Sequence, residues 1–214
     1  MSILEEISEK LQKGRIKEVK ALVQQALDEG MDPKAILNDG LLAGMAVIGG
    51  RFKRGEIYVP DVMISARAMS TSLAILEPRL VEAGNEAVGK VVIGTVKGDL
   101  HDIGKNLTAM MFKGVGFEVY DLGVDVAAET FIEKAEETGA DIIGMSALLS
   151  TTMPNMKEVI DLLEEKGLRD KYIVMIGGAP LTDEFAEEIG ADYYTPDAAT
   201  AAEVAKKCVL EKRA

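Results

Sequence analysis

The chain has 214 residues, of which 36 are acidic and 24 basic, so its formal net charge at pH 7 is −12. This surplus of acidic groups repels nucleic-acid phosphates and anionic lipids, and we expect neither a nucleic acid nor a membrane as partner. The one cysteine, Cys208, and the one histidine, His101, exclude an internal disulfide and any metal site that needs two such residues. The first six residues already include two glutamates, which argues against a signal peptide and for a cytoplasmic protein.

The first part of the chain has the spacing of amphipathic helices. Apolar residues recur three and four positions apart over residues 3–11 and 16–27. Asp32-Pro33 is typical of a helix start and predicts a third helix to about Phe52, and Pro60-Asp61 predicts the start of a fourth. We therefore expect a four-helix bundle. Its core is predicted to include three methionines at helical spacing, Met45, Met63 and Met69.

The hydrophobic period changes after a small, polar segment, residues 82–89, which we interpret as a linker between domains 1–88 and 89–214. Five short β-branched runs then alternate with helical runs. The predicted strands are Val91–Val96, Phe117–Asp121, Asp141–Met145, Ile173–Ile176 and Asp192–Thr195. Such βα units indicate an open five-stranded parallel sheet, flavodoxin-like (Rossmann-like) in strand order, with helices on both faces. The predicted fold class is α/β with an all-α N-terminal part.

The histidine follows the first predicted strand. Ligands of such sheets bind beyond the carboxyl ends of the strands, and His101 lies there between two aspartates, Asp99 and Asp102, and two glycines, Gly98 and Gly104. Imidazole is a good transition-metal ligand, and a carboxylate on its other nitrogen would fix its tautomer. One ligand does not hold a bare ion, so the metal would arrive chelated, as in haem or a corrinoid. The alternative is an incidental surface histidine, and this pattern alone does not distinguish haem from a corrinoid.

Three strand-end motifs and part of the helical region together resemble the cobalamin-binding signature. They are Asp99-x-His101-x-x-Gly104, Ser146-x-Leu148 after the third strand, Gly177-Gly178 after the fourth, and Gly50-Arg51-Phe52 with Tyr58-Val59-Pro60. The chain is similar over essentially its whole length to the corrinoid-binding fragment of methionine synthase and to the small corrinoid proteins of methyltransferase systems. The resemblance implies a helical cobalamin-binding cap domain over residues 1–88 and an α/β cobalamin (B12)-binding domain over residues 89–214.

The resemblance also implies roles for individual residues. His101 would replace the base of the cofactor as lower ligand of cobalt (base-off, His-on), Asp99 would hold its other nitrogen, and Thr152 would extend this relay. Further residues implied around the cofactor are Gly98, Leu100, Asp102, Ile103, Gly104, Ser146, Leu148, Ser150, Gly177, Gly178 and Ala198. In the cap, Phe52 and Val59 would shield the upper face of the corrin. Thr152 stands where methionine synthase has a serine.

The function that the resemblance implies is a methyl carrier of one-carbon metabolism. The cobalt of such a protein takes a methyl group from a substrate-specific corrinoid methyltransferase. A second methyltransferase then passes the group to a pterin of the tetrahydrofolate type or to a thiol, and a reductive activase restores the cobalt. We expect no catalysis by the chain alone, because it has no second metal site and no recognisable acid–base pair.

Two other classes of cobalamin protein share the sheet motif. Radical mutases need a large substrate barrel, for which the chain has no residues left. A cobalamin-dependent sensor or regulator would need an output segment, and residues 1–32 are short and not basic enough for DNA. We therefore expect the carrier. The sequence does not identify the methyl donor (methanol, methylamines, glycine betaine or aryl methyl ethers), the acceptor, the oligomeric state or the lower base of the natural corrinoid.

Overall fold

A computed structural model describes residues 2–82 and 87–213, so residues 83–86 of the predicted linker lie outside the described part of the chain. The chain divides into a helical unit, Met1–Glu86 with Gly114–Gly116, and an α/β unit, Ala87–Lys113 with Phe117–Ala214. Each unit has its own buried core.

The described residues of the helical unit form four helical stretches. They are α1 (Ile3–Gln12), α2 (Ile16–Asp28), α3 (Pro33–Ala35) continuing through a π-helical segment (Ile36–Leu42) into α4 (Ala43–Lys53), and α5 (Val59–Glu82). Ser2 and Glu5 form a reciprocal capping box at the start of α1, and the Asp32 side chain caps α3 at the main-chain N–H of Lys34. The short polar side chains that precede these helices therefore set where they begin.

Helix α5 is the longest helical stretch in the described part of this unit. Its buried side chains include Val62, Ala66 and Met69, three and four positions apart, and the stripe packs against α2 and α4. Met45 is also buried, as predicted, but the prediction for Met63 is wrong, because 47% of that residue is exposed. Met63 follows Val62 directly and so lies about 100° around the helix from the buried stripe.

The α1–α2 turn packs tightly on α5. Gly14 has a φ of +64° there, in the left-handed region, and a Cβ at this position would lie 2.2 Å from Cγ2 of Ile64. Both the backbone conformation and the lack of space therefore require glycine.

The stretch Pro33–Lys53 is long and apolar enough to cross a membrane by length and composition alone. The burial pattern of this stretch is that of a helix packed into a protein core. Its buried positions repeat every four residues, as the pairs 36/37, 40/41, 44/45 and 48/49. This period is longer than the 3.6 residues of an α-helical turn, and the wider turn of the π-helical segment keeps these positions on one side.

The described residues of the α/β unit form a five-stranded parallel sheet in the order β2-β1-β3-β4-β5. The strands are β1 (Lys90–Thr95), β2 (Glu118–Asp121), β3 (Ile142–Ser146), β4 (Ile173–Gly177) and β5 (Tyr193–Tyr194). The helices are α6 (Ile103–Gly114), α7 (Ala128–Thr138), α8 (Pro154–Glu165), α9 (Asp183–Ile189) and α10 (Ala198–Lys212), with a 3₁₀ turn at Arg169–Lys171. The predicted fold class, with its flavodoxin-like strand order, is confirmed.

Both faces of the central strands are buried, as the near-continuous apolar runs predict. Helices α7, α8 and α9 cover one face, where Phe131, Val159 and Ile189 pack on the sheet. The right-handed connection from β1 to β2 places α6 on the opposite face. Helix α10 has buried residues that are outside the core beneath α7, α8 and α9, and it covers that opposite face too. Cys208 on α10 is buried.

The two helical layers differ in charge. Helices α7, α8 and α9 contain four acidic residues each, and their basic residues, Lys134 and Lys157, are ion-paired within their own helices. Helix α6 contains no acidic residue, and α10 has more lysines than glutamates. The excess negative charge of the unit therefore lies mainly on one face of the sheet.

Candidate functional site

The loop that follows β1, residues 96–102, lies at the carboxyl edge of the sheet. Strands β2 and β3 flank β1 on opposite sides, so this is the point where the strand order reverses and where ligands of such sheets bind. Here the loop after β1 meets the segment after β3. The candidate site is built on this junction.

Asp99 is at its centre, fully buried, and its carboxylate accepts five hydrogen bonds. Oδ1 accepts from the main-chain N of His101 at 3.0 Å and from Nδ1 of its ring at 2.7 Å. Oδ2 accepts from the main-chain N atoms of Leu148 at 2.8 Å and Leu149 at 3.2 Å, and from Oγ1 of Thr152 at 2.8 Å. Burial alone would raise the pKa of Asp99, but the donors, led by the N–H groups of Leu148 and His101, hold that pKa well below its usual range. The group is therefore an anion.

This anion orients His101. An ionised carboxylate only accepts hydrogen bonds, so Nδ1 of the imidazole carries a proton, and in the neutral ring it is Nε2 that has the lone pair. The main-chain oxygen of His101 is held by Oγ1 of Thr95 at 2.9 Å, and half of the His101 side chain is exposed. A half-exposed imidazole whose other nitrogen donates to a carboxylate is the usual arrangement of a metal-ligating histidine.

Large apolar side chains are exposed beside this imidazole. Leu100 and Ile103, in the same loop and the first turn of α6, are 72% and 74% exposed, and Leu148 and Leu149 from the β3 segment are also exposed. Apart from its chain neighbours and the backbone of its own helix, no described atom lies within 4 Å of the position that a Cβ on Gly104 would occupy. An exposed apolar patch around one polar ligand suits a large, flat, mostly apolar cofactor.

The ends of β3 and β4 form the next part of the edge. Ser146 pairs in register with Gly177. The following residue, Gly178, has a φ of +146°, and a Cβ there would lie 1.8 Å from the main-chain oxygen of Ala147, so no side chain fits. The nearest atom to a Cβ on Gly177 would be 3.7 Å away, which is an ordinary contact.

The remaining predicted site residues lie away from the Asp99 hydrogen bonds. Ser150 is exposed in the turn after β3, Asp102 is exposed and accepts from Nδ2 of Asn106 at 3.1 Å, and Ala198 begins α10, buried. In the helical unit, Phe52 lies near the end of α4 and Val59 begins α5, both half-buried.

Sequence analysis missed three side chains that hold the loop after β1. Thr95 bonds to the carbonyl of His101, Nδ2 of Asn155 donates to the main-chain oxygen of Lys97 at 2.6 Å, and Asp125 accepts from the main-chain N of Gly98 at 2.7 Å. Asn155 and Asp125 are distant in sequence from the loop. The strand-end motifs that carry the resemblance include neither residue, so nothing local indicated that they contact the loop.

An ion pair between a buried lysine and an exposed aspartate was also missed. Lys105, on the first turn of α6, is almost completely buried, and its Nζ contacts both carboxylate oxygens of Asp121 at the end of β2. Asp121 also accepts from the main-chain N of Gly123 at 2.9 Å. The pair fastens the helix after the histidine loop to the neighbouring strand.

A doubly wound sheet that presents an imidazole, oriented by a buried carboxylate, at its switch point is the architecture of a B12-binding domain. Residues 89–205 match a family model described as the B12 binding domain, and residues 3–77 match a second model with the same description. The chain belongs to this family, and specifically to the corrinoid proteins associated with methyltransferases. The resemblance found in the sequence is thus confirmed.

Individual relatives are similar over almost the whole chain. A corrinoid protein from Desulfitobacterium hafniense (strain Y51) is 49% identical over 210 residues, which are 97% of either chain. The dimethylamine corrinoid protein of Methanosarcina barkeri is 45% identical over 206 residues, 96% of either chain. Among solved structures, the methanol:cobalamin methyltransferase complex MtaBC from Methanosarcina barkeri matches with a TM-score of 0.89 and 31% identity, covering 97% of this chain and 80% of that chain.

Proposed function

We propose that this corrinoid protein carries a methyl group between two methyltransferases, with His101 as the lower ligand of cobalt in the base-off, His-on state. The observation that carries the proposal is the 2.7 Å contact between Nδ1 of a half-exposed His101 and Oδ1 of a fully buried Asp99. When bound, the corrinoid supplies a cobalt centre that accepts a methyl group and gives it up again.

The protein contributes binding and orientation. Asp99 keeps the imidazole in one tautomer and one orientation, because its other acceptor sites are occupied by the β3 segment. The hydroxyl of Thr152 lies 2.8 Å from Oδ2 of Asp99 and 2.9 Å from the main-chain oxygen of Leu149, and its single proton can be donated to only one of them at a time. Thr152 is therefore our candidate for extending the proton relay.

The other proposed contacts divide by chemistry. Leu100, Ile103 and Leu148 supply exposed apolar surface for the ring, and Phe52 and Val59 are the proposed apolar pair for its upper face. The positions proposed along the nucleotide tail and the displaced base are small or hydroxyl-bearing: Gly98, Gly104, Ser146, Ser150, Gly177, Gly178 and Ala198.

Electron paramagnetic resonance of the corrinoid-loaded protein in its cobalt(II) form tests the ligand assignment. Isotopic labelling of the histidine nitrogen should change the hyperfine pattern, since this chain has one histidine. His101→Ala is expected to bind the corrinoid while losing this pattern. A pattern that does not respond to the label in fully loaded protein would rule out His101 as the ligand.

Reconstitution tests the carrier role. Because one relative is named for dimethylamine and a similar structure belongs to a methanol complex, methylated amines and methanol are the donors to test first. Reductively activated, loaded protein should turn over only with a donor-specific methyltransferase and a second methyltransferase acting on a pterin or thiol. Sustained methylation of the acceptor without either partner would refute the carrier role.

A further inference from the structure

The loop after β1 is held from the side by one residue of the β2–α7 segment. Oδ1 of Asp125 accepts from the main-chain N of Gly98 at 2.7 Å, and the main-chain N of Asp125 donates to the oxygen of Asp99 at 3.0 Å. Asp125 thus holds two adjacent residues of the loop that carries His101, Gly98 through its N–H and Asp99 through its main-chain oxygen. The segment itself is firmly placed, because Val126 forms a parallel bridge with Val96 at the end of β1.

The backbone of Asp125 adopts a strained conformation. Its φ is 55°, and among the described residues it is the one non-glycine residue with a positive φ. Two positions earlier the same segment uses a glycine, Gly123, for its own positive φ of 83°. Glycine at position 125 would remove the strain but would also remove the carboxylate that Gly98 contacts.

The need to give a buried N–H group an acceptor does not explain why aspartate occupies position 125. Asp125 and Gly98 are both exposed, so water could take over the hydrogen bond to the Gly98 N–H. The short, charge-assisted hydrogen bond from Gly98 to Asp125 instead fixes the position of the loop. A strained residue kept at an exposed turn, and bonded to the loop of the candidate ligand, indicates a functional rather than a stabilising role.

We propose that Asp125 is a positioning residue for the cobalt ligand, which rests on the proposed role of His101. By fixing the peptide groups of Gly98 and Asp99, it fixes the buried carboxylate that in turn orients the imidazole. Its loss leaves the loop free to shift, so that the imidazole of His101 is bound to cobalt in a smaller fraction of the molecules.

The test compares Asp125→Gly and Asp125→Asn in the full, corrinoid-loaded chain. Asp125→Gly relieves the strain and should fold, but it should lower the ratio of His-on to His-off cobalt(II) by about 10-fold, the lower end of what loss of an outer-shell partner costs in metal affinity. Asp125→Asn tolerates the same φ, keeps an amide oxygen for Gly98 and should retain the parent ratio. The ratio is read from the histidine-label-sensitive hyperfine pattern.

The chain offers a matched control at the opposite edge of the sheet. Oδ2 of Asp192 accepts from the main-chain N of Val174 at 2.7 Å, and the main-chain N of Asp192 donates to the oxygen of Val174 at 2.9 Å. Asp192→Gly therefore removes a carboxylate–peptide bond far from the loop, together with the ion pair of Asp192 to Arg169, and should leave the ratio unchanged. In the apoprotein, Asp125→Gly but not Asp192→Gly should speed amide hydrogen exchange at residues 98–101.

The outcomes separate this proposal from the proposed function. A label-sensitive signal in the parent that is equally strong in Asp125→Gly would overturn the positioning role alone. An Asp125→Asn protein as impaired as Asp125→Gly would also contradict it, because the hydrogen bond to Gly98 is preserved there. A parent without any histidine signal would overturn the ligand role of His101 and, with it, this proposal.

Discussion

Replacing Asp99 by asparagine keeps the size of the side chain but removes its charge and one of its two acceptor atoms. With the amide oxygen in place of Oδ2, the three donors from the β3 segment stay satisfied, and the amide NH₂ then faces both N–H groups of His101. The ring can change tautomer, but the main-chain N–H of His101 is left without an acceptor, which costs about 1–3 kcal/mol. The three remaining bonds each lose about 1 kcal/mol as they become neutral, partly offset by the easier burial of an uncharged group.

We therefore expect Asp99→Asn to lower the free energy of unfolding by about 2–4 kcal/mol, which in urea lowers the midpoint by about 1 M or more. The assay is urea unfolding of the apoprotein followed by far-ultraviolet circular dichroism. Asp170→Asn, in the exposed 3₁₀ turn before β4, is the control and should stay within about 0.5 kcal/mol of wild type.

The stability difference between wild type and Asp99→Asn should depend on pH in a defined direction. The folded-state pKa of Asp99 is depressed, so its contribution to stability is fully present above the unfolded-state pKa and is lost as the pH falls towards the folded-state pKa. With an unfolded-state pKa of about 3.9, the deficit of Asp99→Asn should narrow by about 1 kcal/mol between pH 5 and pH 3. A variant as stable as Asp170→Asn, or a deficit that grows as the pH falls, would refute the hydrogen-bond account of Asp99.

Two further predictions concern glycines. Gly178→Ala should destabilise the protein by at least about 2 kcal/mol, because it combines a left-handed φ with a clash against the main chain, whereas Gly177→Ala should cost less than about 1 kcal/mol. Urea midpoints decide between them, and equal effects would contradict the close approach at Gly178. Gly14→Ala should destabilise the helical unit through its φ and its clash with Ile64, and adding Ile64→Ala should relieve the clash. A double-mutant cycle should then show a coupling of more than about 0.5 kcal/mol, and strictly additive losses would contradict the contact.

The strands were predictable from sequence to within one or two residues, because each is a short run that contains β-branched or aromatic residues. β1, for example, was expected at Val91–Val96 and lies at Lys90–Thr95. The π-helical segment was not predicted, although its signal was present: apolar and small residues in Ile36–Gly49 recur every four positions. A search for periods near 3.6 treats that pattern as an ordinary helix.

For the candidate site, sequence reasoning reached the contacts that are local or that a motif carries. Asp99 and His101 are two residues apart, so their contact follows from spacing, and Thr152 came from the family resemblance. The contacts of Asp125 and Asn155 were not predicted, because each residue lies in a segment that follows a different strand from the loop it contacts. Which side chain spans that distance depends on strand spacing and loop conformation, and local pattern does not encode either.

The acidic layer of α7, α8 and α9 makes the α/β unit an electric dipole. In the field of an approaching positively charged partner, the α/β unit experiences a torque that turns its acidic face towards that partner before contact. The edge that carries His101 borders that face, so rotation during the encounter brings the candidate site close to the approaching surface. The reach of this field falls from about 30 Å at 0.01 M salt to about 8 Å at physiological ionic strength. Salt therefore acts on how often productive encounters occur, while the lifetime of a formed complex depends on the contacts it makes.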